Sequence, residues 1–450
     1  MKTFSFANQI TAKCDPKMQN ETVKKLWKSF CFDAGEISFE NGAKSTFCVG
    51  DEPLPVLGEG KEYALSVSEK GIAIIGRDYG GLMRGFAVLL MKIEEIDAGF
   101  VIPSCAEESA YKLRNRMIHI CVFPENDFYF IQKVIRLSAV CQYTHIVIEF
   151  WGTLQFDCMK ELAWPLPHAF TKDQVRELVK ECRELGIEPI PMFNQLGHAS
   201  GARIRSGKHV VLDQNPRLHR LFTPDGWAWN ITSDEVKSLL RQIRKELYEL
   251  FGEGEYLHIG CDEAYFITRN DAWRKNLSAF LSELTHEVEA EGRRPMLWMD
   301  MLLEKNTFKD CHGVGEADEV EAIRKALAPS CVFVDWQYSV SEVPIPSMAF
   351  LKDCGHPVIG APWYDKKNYV AHIATVAELG LDGIMLTTWH TLFNWMHTIP
   401  DCAKECGAIT YPWSPSAPPK TETATLLRRL SFEGNDCASA GWVKEQIQLS

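Results

Sequence analysis

The hydrophobic pattern of this chain divides near residue 110. Before it, Tyr63, Leu65 and Val67 alternate with polar neighbours, and GIAIIG (71–76) follows as a second apolar run. The segment DYGGLMRGFAVLLMKI (78–93) is apolar enough for a helix packed on that pair of strands. Residues 1–108 therefore read as a small α/β domain without a chemical constellation of its own. From 114 the pattern becomes a regular alternation. Short apolar runs, RMIHICV (116–122), THIVIEF (144–150), EPIPMF (188–193), YLHIG (256–260), RPMLW (294–298), CVFVDW (331–336), PVIGAP (357–362) and GIMLTTW (383–389), predict strands buried on both faces. Helix-period segments separate them. Thr171 with Gln174, and Thr232 with Glu235, predict capping boxes at two helix starts, and Gly186 predicts a stop.

Eight strands alternating with helices predict a (β/α)8 TIM barrel over residues 109–410. A doubly wound open sheet is the structural alternative, but it seldom needs so many repeats and usually carries a Gly-rich phosphate turn, which this sequence lacks. Residues 411–450 begin Pro-rich, YPWSPSAPP, and read as a packed, partly helical appendage.

Unusual side chains gather where these strands end. Glu149 closes the second, His198 follows the third, and Asp262 and Glu263 follow the fourth. Trp298 and Asp300 close the fifth, Trp336 and Tyr338 the sixth, Trp363 and Tyr364 the seventh, Trp389 the eighth. The C-terminal ends of barrel strands are where such enzymes carry out chemistry. Aromatic faces pack on the C–H faces of a pyranose, and carboxylates bind hydroxyls or transfer protons, so the set suggests a sugar. Adjacent residues in a strand point to opposite faces. Asp262 and Glu263 can share one pocket only where the strand bends into its loop, and there each raises the pKa of the other.

Composition narrows the partners. The 450 residues carry a net charge of −12, which disfavours nucleic acid and anionic membranes, and no run is long enough to span a bilayer. Fifteen cysteines without paired spacing, behind an N-terminus that has no signal-like apolar run, lead us to expect free thiols and a cytoplasmic protein. CxxC and HExxH are absent, and no metal or other cofactor is expected.

At HIGCDEAYF (258–266) the sequence resembles glycoside hydrolase family 20, whose signature is His-x-Gly-Gly-Asp-Glu; Cys261 stands at the second glycine. Together with LWMDML (297–302) the spelling looks like the hexosaminidase D branch. The resemblance implies a retaining exo-β-N-acetylhexosaminidase acting on glycans with a terminal β-linked GlcNAc or GalNAc. Glu263 would be the acid and base, and Asp262 would orient the 2-acetamido group. Tyr364, in APWY, would bond the acetamide carbonyl, and Trp298, Trp336 and Trp389 would box its methyl. Trp363, Arg114 and His198 would join the substrate site. Two departures touch hydroxyl recognition: Thr391 stands where a Glu is usual, and Lys366 where an Asp or Asn is usual. His119 replaces a common Asp. On the residues alone, Glu149 reads equally as a partner for an arginine inside the barrel, Arg114 as a barrel-floor ion pair, and Tyr338 as a packed tyrosine. Two other functions fit the residues: a metal-dependent barrel enzyme ligated by Glu149, His198, His258 and Asp262, or a sugar-binding family member without turnover.

Overall fold

A computed structural model describes residues 2–408 except 32, 167, 200–211, 214, 312 and 393, and beyond them only 426, 427, 429 and 430. Most of the expected C-terminal appendage lies outside the described residues. In the first domain, strands β2 (Gln9–Cys14), β3 (Glu36–Asn41), β4 (Thr46–Gly50), β5 (Tyr63–Ser68), β6 (Gly71–Gly76) and β9 (Cys105–Glu108) form one sheet in the order β3-β2-β4-β6-β5-β9. Strands β1 (Thr3–Phe6), β7 (Glu94–Ile96) and β8 (Gly99–Pro103) form a second. The apolar helix Tyr79–Met91 packs on β5 and β6, because nearly every residue along it is apolar and buried.

All eight apolar runs are strands: β10 (Asn115–Val122), β11 (His145–Phe150), β12 (Glu188–Met192), β13 (Tyr256–His258), β14 (Arg294–Trp298), β15 (Val332–Asp335), β16 (Val358–Gly360) and β17 (Gly383–Thr387). They pair in parallel and close when β17 returns to β10, with Met117 opposite Met385. Alternation explains why both faces are apolar. Met117, Val147, Ile190, Met296, Val334 and Met385 fill the barrel, whereas Ile118, Ile146 and Ile148 join the larger core that includes the surrounding helices. Among the described residues no helix is long and apolar enough to cross a membrane.

The helix Lys172–Glu184 carries the expected capping box, and Gly186 follows it at φ +75°. The second cap slides by one residue. Ser233, not Thr232, accepts from the Val236 amide, because the Thr232 hydroxyl is engaged by Asn230 and Glu235 is drawn to Arg220.

One buried carboxylate joins the domains. Glu62, preceding β5, receives both Arg116 guanidinium nitrogens of β10 at 3.0 Å and also pairs with Arg84. Burial alone would raise its pKa, but the two arginines hold it below the usual carboxylate range. Glu62→Ala would strand two buried cations, and should lower the unfolding free energy in urea by about 3–5 kcal/mol. A loss under about 1 kcal/mol would show the clasp to be solvated.

Candidate active site

The site is built on a turn that few side chains tolerate. After β13 the chain passes through Gly260 (φ +68°), Cys261 (φ +77°) and Glu263 (φ +49°) before the short helix Tyr265–Arg269. His198 (φ +55°) and Trp389 (φ +41°) are also left-handed, so backbone strain concentrates at this mouth. It brings the two carboxylates together. His198 Nε2 lies 3.2 Å from Asp262 Oδ2 and 3.1 Å from Glu263 Oε2. Tyr265 adds a hydrogen bond to the Glu263 carboxylate. Burial pushes the His198 imidazole down, but the two carboxylates outweigh it and raise its pKa to about 10. The charged bridge answers the repulsion that adjacent carboxylates would otherwise suffer.

A raised folded pKa stabilises fully below the unfolded value of about 6.5, and that contribution is lost as pH rises through about 10. Melting temperatures of wild type and His198→Gln should thus differ most near about pH 6 and converge toward about pH 11. A gap constant across that range would contradict the bridge.

Two residues outside the expected set hold the turn. Asp300 Oδ2 accepts from the Glu263 amide at 2.9 Å, and its Oδ1 accepts from Trp336 Nε1 at 3.4 Å. Trp227 Nε1 donates to the Glu263 carbonyl at 2.8 Å while its ring lies 4.4 Å from His198. Sequence offered Asp300 only as a strand-end acid and gave no signal for Trp227, which lies far from any strand end. Close packing helps too: a Cβ on Gly197 would meet the Asp262 carbonyl oxygen at 1.8 Å.

The aromatic wall assembles from the last four strands. Trp298 is fully buried and forms its floor, 4.4 Å from His258 and 5.7 Å from Trp389. Trp336, Tyr338 and Trp363 continue it at 5.2 and 5.3 Å, and Trp389 Nε1 donates to the Tyr338 hydroxyl at 2.8 Å. Tyr338 is thus a packed tyrosine, as the residues alone suggested, and it packs within the row of indoles. Tyr364 stacks 4.8 Å from Trp395, the outermost aromatic at 39% exposure.

Several expectations change. Arg114 does not reach this site. It precedes β10, so the strand carries the chain away from it, and it lines a cleft of about 810 Å³ at the barrel's other end with Arg77, Glu188 and Asp382. Arg116, not Arg114, makes the floor ion pair. Glu149 is 2% exposed and among the described residues pairs with no arginine: its oxygens are taken by His119 Nε2 at 2.8 Å and Asn194 Nδ2 at 2.6 Å. That pair supports the wall from below, since the His119 ring lies 4.8 Å from Trp389. His258 Nδ1 accepts from the Gly260 amide, and burial holds its pKa well below the ordinary value. With Glu149 and His258 so engaged, the four-ligand metal reading has no geometry. Among the described residues no group of three or more His, Cys, Asp or Glu could hold a metal ion. Lys366 is 70% exposed and pairs with Glu405, while Thr391 Oγ1 accepts from Trp363 Nε1 at 3.0 Å and so braces the wall.

A closed β/α barrel that places a carboxylate pair beside a wall of indoles at its C-terminal mouth has the groups that glycoside chemistry uses. Comparison with known proteins makes this specific. Residues 155–337 match the model of the glycosyl hydrolase family 20 catalytic domain. A lacto-N-biosidase of Bifidobacterium bifidum is 20% identical over 314 residues, 66% of this chain and 26% of that protein. A beta-hexosaminidase of Porphyromonas gingivalis is 21% identical over 335 residues, 67% of this chain and 40% of that protein. The chain thus spans a quarter to two fifths of the length of these curated relatives. Among solved structures, the beta-N-acetylhexosaminidase of Bacteroides fragilis shares the fold with a TM-score of 0.66 at 12% identity, over 99% of this chain and 93% of that one. The N-acetyl-beta-hexosaminidase of Streptomyces plicatus, solved with Thio-NAglucal, does so at 0.65 and 14%, over 96% and 92%. The middle of the barrel is thus similar to glycosyl hydrolase family 20 catalytic domains, and the whole fold to that of the solved beta-N-acetylhexosaminidases.

Proposed function

We propose that the protein is a retaining exo-β-N-acetylhexosaminidase that removes terminal β-linked GlcNAc or GalNAc with help from the substrate's own 2-acetamido group. The observation that carries this reading is Asp262. One of its oxygens is held by His198, while Oδ1 is buried and has no hydrogen-bond partner among the described residues. A buried carboxylate oxygen needs a donor. An acetamide N–H supplies one, and the indoles beside it offer an apolar surface for the acetamide methyl.

In this scheme Asp262 orients the amide and steadies the positive charge that develops on it. The acetamide carbonyl oxygen attacks the anomeric carbon as the glycosidic C–O bond breaks, and Glu263 gives its proton to the departing oxygen. Water then opens the cyclised intermediate from the opposite face, returning its proton to Glu263, and two inversions give retention. Thr391 and Lys366 offer no carboxylate to the distal hydroxyls, which supports acceptance of both hexosamine epimers. The cysteines described are all free thiols, which supports a reducing, cytoplasmic setting.

The test compares nitrophenyl β-glycosides that differ only at C2. The 2-acetamido compounds should turn over, and the 2-hydroxy and 2-deoxy compounds should be slower by at least about 10³-fold. Comparable rates would end the proposal.

A further inference from the structure

We propose that Asn368 is a positioning residue: its side-chain amide sets the spacing of two rings of the aromatic wall, Tyr338 and Trp363, and so governs how tightly the sugar is held. The inference rests on the sugar-binding reading of the wall given above. It goes beyond that reading to a buried residue that is not itself in the wall.

Asn368 is the third residue of the helix Lys366–Leu379, whose start is capped by Asp365. It is 2% exposed, and both polar atoms of its side chain are engaged. Nδ2 donates to the Gln337 carbonyl at 2.6 Å and to the Val340 carbonyl at 2.8 Å, and Oδ1 accepts from the Trp363 amide at 3.1 Å. The orientation is forced. Exchanging the two atoms would set the amide hydrogens against the Trp363 N–H and the oxygen against two carbonyls.

Those three partners are the points from which the wall hangs. The Val340 amide donates to the Gln337 carbonyl at 3.3 Å, so residues 337–340 form a turn with Tyr338 and Ser339 at its centre. Asn368 grips both ends of the turn that carries Tyr338 and, with its other atom, the backbone of Trp363. The two aromatics follow different strands, β15 and β16, yet their rings lie 5.3 Å apart. Asp310 holds the other flank of the turn, accepting from the Ser339 amide at 2.7 Å and its hydroxyl at 3.0 Å.

The acids are anchored by other bonds. Asp300 and Trp227 hold the Glu263 backbone, and His198 bridges the two carboxylates. None of these bonds includes Asn368. A change at 368 therefore shifts the surface that holds the sugar and leaves the proton donor where it was. Its signature is weaker binding with an undiminished chemical step.

Asn368→Asp keeps the size and an oxygen for the Trp363 amide, but turns an acceptor toward two carbonyls. On a nitrophenyl β-GlcNAc glycoside it should raise KM at least about tenfold, with kcat within about threefold of wild type. Calorimetry with N-acetylglucosamine, which involves no turnover, should show a weakening of about tenfold or more. Both are measured well below the melting temperature, where a residue of purely structural use would change neither. Should Asn368→Asp fail to fold, Asp310→Ala loosens the same turn from its other flank, and should raise KM about threefold or more with kcat unchanged. Unchanged KM and sugar affinity in folded Asn368→Asp, a loss confined to kcat, or, in its place, unchanged KM in Asp310→Ala would each overturn the assignment. A wild type that neither binds nor turns over these probes would strike the hexosaminidase reading, and the proposal with it.

Discussion

Glu263→Gln is expected to lower kcat about 10³-fold on an N-acetylhexosaminide whose leaving group is another sugar, and far less on a nitrophenyl glycoside. An alkoxide-like leaving oxygen must be protonated as its bond breaks, whereas a nitrophenolate departs without help. The variant should not be fully active even on the good leaving group, because in the proposed scheme the same carboxylate takes the proton of the incoming water. Glutamine is close to isosteric and leaves Asp300 and Trp227 bonded to the backbone at that position. A difference between substrates would thus report the proton rather than the fold. Equal, small losses on both would remove Glu263 from its role.

Asp300→Ala carries the second large effect, with a different signature. Its two oxygens tie the amide of Glu263 to the indole of Trp336, one element of the acid to one of the wall. Without them the backbone of the left-handed Glu263 loses the acceptor at its amide and keeps the bonds that Trp227 Nε1 and the Tyr265 amide donate to its carbonyl. A displacement of about 1 Å in a reacting group costs on the order of 10²-fold. The loss in kcat should therefore be about 10²-fold and alike for good and poor leaving groups, unlike the loss in Glu263→Gln. Stability should fall by about 1–3 kcal/mol, since the Glu263 amide and the Trp336 indole both lose an acceptor. Retention of kcat within about threefold would show the turn to be rigid without Asp300.

The barrel was legible because each of its strands is a short apolar run and each helix has its own period; local chemistry alone sufficed. The capping box at Thr171 followed from two residues three apart. The one at Thr232 did not, because a neighbouring serine competes and Asn230 takes the threonine hydroxyl. Strand-end logic also located the mouth, with Asp262, Glu263, Trp298, Trp336, Trp363 and Trp389 falling at or just beyond strand ends. Arg114 shows the limit of matching by motif. It stands one residue before β10, and in a parallel barrel that is the end opposite the chemistry. What could not be read were the cross-strand partnerships: Asp300 with Glu263, Trp227 with His198, Glu149 with His119, Thr391 with Trp363. Each joins residues at least 28 positions apart, and no periodicity encodes which polar side chain will face which.

Gly197 shows how much of the chemistry rests on an atom that is not there. With a hydrogen in place of a methyl, the loop after β12 seats itself against the Asp262 carbonyl oxygen. Alanine at 197 would wedge the two loops apart and lever its neighbour, His198, out from between the acids. The enzyme would then keep every ionisable group it had and lose the placement that makes them cooperate.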